Sequence, residues 1–229
     1  MSEPVHVAVI CEGATERIFV ETLLSPHFFT IGIYLTPTLI TKKGQKGGDV
    51  KFDRLCKDLE NHLNHGHNRC VTTFFDFYGL KGDWPGYEEA KMQKTPADKQ
   101  SVIIQIVMEA VVRRFGVLRA DRRFLPYFSM HEIEALYFSC PDTVAQCLGI
   151  KPASVRYILD ECGEPEAINH DELSSPSHRL NNLTVMGEFK KTTTGIAIAQ
   201  VIGLQKMREQ CPLFHSWIRS IEMLTAEEK

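Results

Sequence analysis

The chain has 229 residues, with 26 Lys and Arg against 29 Asp and Glu, a formal net charge of −3. Hydrophobic residues make up 43% and charged residues 24%, the balance of a globular chain with a sizeable core, which excludes disordered, collagen-like and coiled-coil classes. No uninterrupted apolar run of about 18 residues offers a membrane span, and the acid excess excludes coating nucleic acid by bulk positive charge.

Met1, Ser2, Glu3 and Pro4 carry neither a charged n-region nor a cleavage site, so no signal peptide is expected. Residues 5–10 are apolar and rich in β-branched side chains, the pattern of a buried strand, and end at Cys11, Glu12 and Gly13. Residues 14–24 put Ile18, Phe19 and Leu23 at helical spacing, and Pro26 is expected to stop that helix. Residues 31–40 alternate as a second strand, with a candidate interruption at Pro37. A Lys/Gly-rich loop over 41–48 follows, and Asp49 or a neighbour is expected to cap a helix running to about Asn64. Phe52, Leu55, Leu59 and Leu63 form its apolar face.

Residues 70–75 read as the third strand, with Asp76 at its carboxyl end. A loop rich in Gly, Pro and aromatics spans 77–96, and 97–115 is a strongly patterned helix. Residues 124–130 read as a fourth strand in which Pro126 marks an edge position or a bulge, followed by a helix carrying Ile133, Leu136 and Tyr137. Beyond Pro141 the pattern is helical, with Pro212 separating the last two helices. The expected organisation is an α/β domain over 1–140 and a helical cap or extension packed on it over 141–229. The seven cysteines are odd in number and never spaced Cys-x-x-Cys, which suits a reducing, cytoplasmic setting.

Strands alternating with helices predict parallel pairing and right-handed crossovers. In such a sheet, ligands bind outside the carboxyl ends of the strands. Acids fall at that edge three times: Glu12, Asp76, and the pair Glu132 and Glu134 after His131. Each alone has an ordinary explanation. Glu16 and Arg17 suit first-turn surface charges, Asp76 can cap the next loop, Glu132 can be a helix-start charge, and Glu134 can face an arginine. Together they make an oxygen-rich edge of the kind that binds Mg²⁺ or Mn²⁺. Near a phosphodiester such ions activate water and stabilise the leaving oxygen, and their charge reverses the repulsion between acids and a polyanion.

At these residues the chain resembles a TOPRIM-type domain, the metal-dependent, Rossmann-like fold of topoisomerases, primases and OLD-family nucleases. Glu12 matches the glutamate after the first strand, and Glu12 with Gly13 and Glu16 resembles the two-glutamate version of OLD-type nucleases. Asp76 matches the first acid of the Asp-x-Asp element, but Tyr78 stands at the second. A phenol, with a pKa of about 10, is a poor Mg²⁺ ligand, so Glu132, Glu134 or Asp83 are the candidates to replace it. Blocks over 10–16, 71–80, 131–139 and 202–217 resemble a bacterial family known as domain of unknown function 4276. The resemblance implies a TOPRIM-like mainly parallel sheet flanked by helices, often encoded beside an ATPase and associated with anti-phage defence. It further implies a basic residue assisting the scissile phosphate, for which Lys190 and Lys191 are candidates.

The expectation is thus a Mg²⁺- or Mn²⁺-dependent nuclease of DNA or RNA with a partner ATPase. Glu12, Asp76, Glu132 and Glu134 would hold metal, assisted by Glu16 and Lys191. The alternative is a non-catalytic TOPRIM-like sensor or binding subunit, which Tyr78 favours; nucleotidyl transfer is a third option. Other signals are weaker. His62, His65, His67 and Cys70 have zinc-like spacing but sit where a helix enters a strand. Lys42 to Lys46 lack the P-loop sequence. The cluster Arg113, Arg114, Arg119, Arg122 and Arg123 either binds phosphate or is a solvated helix end.

Overall fold

The computed structural model describes residues 4–42, 45–46, 49–66, 68–168, 174–185 and 187–225, with backbone alone at 41, 42, 45 and 46. Strand β1 (Val5–Cys11) leads through Gly13 into helix α1 (Ala14–Phe19). Pro26 does not stop the helical path. A π turn over Val20–Leu24 passes into α2 (Ser25–Phe29), with Pro26 in its first turn. A first-turn proline loses no helical hydrogen bond, and the wider π turn precedes it. Strand β2 (Ile33–Leu39) runs through Pro37 without a break. Among the described residues it pairs only with β1, from Val5 opposite Ile33 to Cys11 opposite Leu39. An edge strand has an unpaired side where a missing N–H costs nothing.

The short strands β3 (Thr41–Lys42) and β4 (Gln45–Lys46) form an antiparallel ladder. The other residues of the 41–48 loop lie outside those described. In α3 (Phe52–Asn64) the cap position is Lys51, and Asp49 has a different task. With φ at 52°, Asp49 turns back to bind Arg54 at 2.9 Å and Lys81 at 2.8 Å. Asp83 accepts the Phe52 N–H at 3.3 Å, so it serves the start of α3. Strand β5 (Arg69–Asp76) is followed by a 3₁₀ turn over Phe77–Gly79, then α4 (Tyr87–Lys91) and α5 (Pro96–Phe115). The Thr95 hydroxyl caps α5 by accepting the Asp98 N–H at 3.1 Å.

After α6 (Ala120–Arg123) the expected fourth strand is split at Pro126 into β6 (Phe124–Leu125) and β7 (Phe128–Ser129). Both pair parallel with β5. The helix expected next is a 3₁₀ helix, Ile133–Ser139, with all seven side chains buried. Nothing exposed remains to set an amphipathic α-helical period. The rest of the chain is α7 (Pro141–Leu148), α8 (Pro152–Cys162), α9 (Pro176–Leu183), a π turn over Lys191–Gly195, α10 (Ile196–Ile202), α11 (Leu204–Gln210) and α12 (Pro212–Glu222). Proline opens α5, α7, α8, α9 and α12, where its missing N–H has no intrahelical partner to lose.

The main sheet has the order β2-β1-β5-β6, with β7 continuing along β5, and is parallel throughout. It is an α/β fold with helices on both faces. The strand period of two sends Val7, Val9 and Cys11 of β1 to one face and Ala8 and Ile10 to the other, all buried. The first face packs against α1 and the carboxyl-terminal helices through Phe19, Ile198, Phe214 and Trp217. The second packs against α3 and α5 through Leu55, Leu59, Ile103 and Val107. Trp217 ties α12 to the sheet: its indole N–H donates to the Thr72 hydroxyl at 2.8 Å and its ring stacks on Tyr127 with centroids 4.3 Å apart. Among the described residues, no helix is long and apolar enough to cross a membrane.

Candidate active site

Register brings the predicted acids together. Cys11 lies opposite Phe74 and Asp76 opposite Ser129, so β1, β5 and β7 end at one edge. The Glu12 N–H donates to the Phe74 carbonyl at 3.3 Å, and the Asp76 N–H donates to Glu12 Oε2 at 3.2 Å. Two residues past β7, the chain reaches His131 and Glu132, then turns into the 3₁₀ helix that carries Glu134.

Backbone N–H groups also hold Glu16, Asp76 and Glu132. Glu16, at the third position of α1, folds back to accept the Gly13 N–H at 3.0 Å, the return half of a capping box. Gly13 itself is extended, with φ at −142°. Glycine matters there for room: a Cβ would lie 3.2 Å from Glu16 Oε2. Asp76 Oδ1 accepts the Tyr78 N–H at 2.9 Å, and Glu132 Oε2 accepts the Ser177 N–H at 2.9 Å.

Lys191 is the cation of this centre. Its ammonium donates to Glu132 Oε1 at 2.7 Å and lies 3.6 Å from Glu134 Oε2. Glu12, Glu16, Asp76, Glu132 and Glu134 all feel its charge. Burial opposes the charge on Lys191, yet Glu134, Glu132 and Glu16 outweigh it and raise its pKa. Lys190, next to it, is exposed.

Five carboxylates around one lysine leave an excess of acid, and the protonation equilibria register it. Burial, then the Asp76 charge, pushes Glu12 up to about 7. Burial, then Glu132 and Glu16, pushes Asp76 up to about 7. Glu134 is 1% exposed, and burial carries it to about 7 against the pull of Lys191. Glu16 is also raised, chiefly by burial. Glu132 goes the other way: burial works against its charge, but hydrogen bonds from Lys191 and Ser177 win and lower it. Glu132 and Lys191 are therefore the ionised pair, while Glu12, Asp76 and Glu134 share protons near neutrality.

The donor chemistry suits a hard dication. Glu134 Oε1 and the Tyr137 hydroxyl are buried with no hydrogen-bond partner among the described residues. Gly79 leaves space at the Glu12 carboxylate, where a Cβ would lie 3.0 Å from both oxygens. Glu12, Asp76 and Glu134 are the acids that would hold the ion, with Glu132 beside them. Among the described residues, no three His, Cys, Asp or Glu side chains are placed as a metal-holding group.

Several residues join this edge that the sequence reading did not single out. Gly79 sits against Glu12, and Ser177 reaches Glu132 from the start of α9. Gly195 ends the π turn of Lys191 so closely packed that a Cβ would lie 3.1 Å from the Tyr137 ring and 3.2 Å from Phe189. Only the glycine of Tyr78-Gly79-Leu80 offered a signal, as a residue favoured where backbone approaches another group. The candidate replacement Asp83 is engaged with α3, as described above. Tyr78 turns to Lys99, accepting from its ammonium at 2.8 Å, and stacks on His131 with centroids 5.7 Å apart.

The weaker candidates resolve differently. Arg123 is 6% exposed and donates to the carbonyls of Leu63, Gly66, Arg69 and Leu118. It is an interior strut, because burying a guanidinium requires acceptors for its donors. Arg114 faces Asp53 and Arg122 faces Asp121, each at 3.8 Å. Of the zinc-like group, His67 lies outside the described residues, and the His65 ring is bonded to the Asn61 carbonyl. Cys11 is fully buried, and burial drives its thiol pKa well upward, so it is no nucleophile.

The sequence profile described as domain of unknown function 4276 (DUF4276) matches residues 11–222. The chain belongs to this DUF4276 family. The matched span includes all five acids and Lys191, from the end of β1 to the end of α12. Among solved structures, this DUF4276 member is similar to the C-terminal region of the Burkholderia pseudomallei OLD protein, with 14% identity, a TM-score of 0.44 and 97% of each chain covered. Comparison with curated proteins gives no match.

Proposed function

We propose that this DUF4276 member is a Mg²⁺- or Mn²⁺-dependent phosphodiesterase that cleaves DNA or RNA. The observation that carries the reading is geometric: the Lys191 ammonium lies 2.7 Å from Glu132 and 3.6 Å from Glu134, at the same sheet edge where Glu12 accepts the Asp76 N–H. The TOPRIM-type resemblance of Glu12, Glu16 and Asp76 supports the same chemistry. A dication at Glu12, Asp76 and Glu134 would supply water activation and stabilisation of the leaving oxygen. Lys191, partly exposed beside Glu132 and Glu134, would meet a phosphate oxygen of the substrate. Glu16 fixes the turn that aims Glu12. The family resemblance adds anti-phage defence and a partner ATPase to this reading.

The test is cleavage of labelled DNA and RNA in Mn²⁺ by the wild type and by Glu12→Ala, with and without an ATPase of the kind the family resemblance implies. Metal-dependent cleavage lost in Glu12→Ala is expected. Its absence in every combination overturns the enzyme.

One observation favours a second reading, a non-catalytic sensor or binding subunit. Tyr78 is engaged with Lys99 and His131, so position 78 contributes no ligand to the acidic edge. In that reading Lys191 remains paired with Glu132, and Mn²⁺ leaves stability unchanged.

A further inference from the structure

Beside the acidic edge lies a separate cavity of about 240 Å³, lined by Tyr78, Lys94, Pro96, Lys99, Met130, His131 and Ala167. Its charge is opposite to that of its neighbour. Lys94 is exposed, and Lys99 is half-buried with its ammonium on the Tyr78 phenol at 2.8 Å and 5.4 Å from the centre of that ring. Neither lysine forms an ion pair with a carboxylate among the described residues. A half-buried ammonium whose acceptor is a hydroxyl rather than a carboxylate retains most of its attraction for an anion.

Position ties the cavity to the acids. The Tyr78 N–H holds the Asp76 carboxylate, and His131 immediately precedes Glu132. The Tyr78 ring stacked on His131 therefore forms the wall between the two sites. The volume is below the ~300–1,000 Å³ typical of drug-sized ligands, which suits a phosphate and part of its sugar better than a whole nucleotide.

We propose that this cavity binds a backbone phosphate of the substrate strand, next to the phosphodiester presented to the acidic edge. The inference rests on the nuclease reading for its substrate class. A polyanion approaching five carboxylates is repelled until metal is in place, and two lysines one wall away give the strand a metal-independent hold. Tyr78 is then a positioning residue: where a second acid would repel the strand, a phenol holds Lys99 over the cavity.

The test is fluorescence-anisotropy binding of a labelled single-stranded oligonucleotide in EDTA across a salt series. The proteins are the wild type, Lys94→Gln, Lys99→Gln, the double variant, and Lys206→Gln of α11 as a general-charge control. Neutralising one phosphate contact on a single strand changes the slope of log K against log salt by about 0.7. The double variant is expected to lose about that much slope and bind several-fold more weakly, with Lys206→Gln unchanged. Lys94→Gln removes only an exposed group, so it keeps the test valid should substitution of Lys99 disturb folding. An unchanged slope in Lys94→Gln and the double variant, an equal loss in Lys206→Gln, or no binding by the wild type overturns the proposal. A nucleoside monophosphate is run in parallel, and weakening confined to it overturns the assignment to a strand. Loss of slope without Mn²⁺-dependent cleavage overturns the nuclease alone; cleavage with unchanged slope overturns the cavity alone.

Discussion

Lys191 and Glu132 meet at 2.7 Å across 59 residues of sequence. Their contact joins the π turn before α10 to the segment after β7, and so ties the carboxyl-terminal helices to the acidic edge of the sheet. Lys191→Met removes the cation and leaves Glu132 to its hydrogen bonds with Ser177. Because Lys191 is 41% exposed, water screens the loss, and about 1 kcal/mol is expected. Thermal unfolding should show a drop of a few degrees, and Mn²⁺-dependent cleavage should fall by at least about tenfold, the least expected from losing a charge aimed at the transition state. Full activity in this variant contradicts the role given to Lys191.

Gly79→Ala places a methyl 3.0 Å from both Glu12 oxygens. The obstructed group is the end of a flexible side chain, so Glu12 swings aside and the fold survives. The expected result is a melting temperature near wild type with weakened Mn²⁺ binding, read by calorimetry. Equal Mn²⁺ affinity in both proteins would remove Glu12 from the metal site.

The pH dependence has a definite sign. Glu12 and Glu134 rise to about 7 from 4.5, and Asp76 rises to about 7 from 3.8. Between those limits the folded chain binds more protons than the unfolded one, so stability without metal falls as pH rises toward 7. Metal must displace those protons, so its affinity rises over the same window. The stabilisation by a fixed Mn²⁺ concentration, measured as a shift in melting temperature, should be larger at pH 8 than at pH 6. Equal shifts would mean that these acids do not bind it.

Glu166 is buried at the start of α12, where its oxygens accept the Leu213 N–H at 2.8 Å and the Phe214 N–H at 2.9 Å. Burial, outweighing those two bonds, pushes it up to about 7. Glu166→Ala leaves both donors open and should cost about 1–2 kcal/mol. Glu166→Gln keeps an acceptor and should cost less, while flattening part of the loss of stability between pH 4.5 and 7. Comparison of denaturant midpoints across pH checks both.

Much of this architecture was legible before any coordinates. The apolar run ending at Glu12 and the one ending at Asp76 are buried on both faces, so composition marks them as central parallel strands. Proline was the less legible punctuation. Pro37 suggested an interruption and Pro126 an edge position or a bulge, yet it is Pro126 that splits its strand and Pro37 that is passed without a break; Pro26 was expected to end a helix and instead lies in the first turn of one. The outcome depends on which hydrogen bonds neighbouring segments demand, and a local reading does not contain them. Asp83 likewise serves the start of α3 in the place expected of Asp49, because the donor at Phe52 is reached across 31 residues.

The sequence by itself determined the parallel α/β plan, the acids at the strand ends and membership of the DUF4276 family. These follow from local period, strand polarity and motif. Tertiary structure alone decided which lysine faces the acids, that Arg123 is a strut, and that Tyr78 lines a basic cavity beside the acidic edge. Each of those depends on burial and charge contributed from segments far apart in the chain. The chain-wide charge of −3 could not foretell that acid would gather at the sheet edge and base in the cavity beside it.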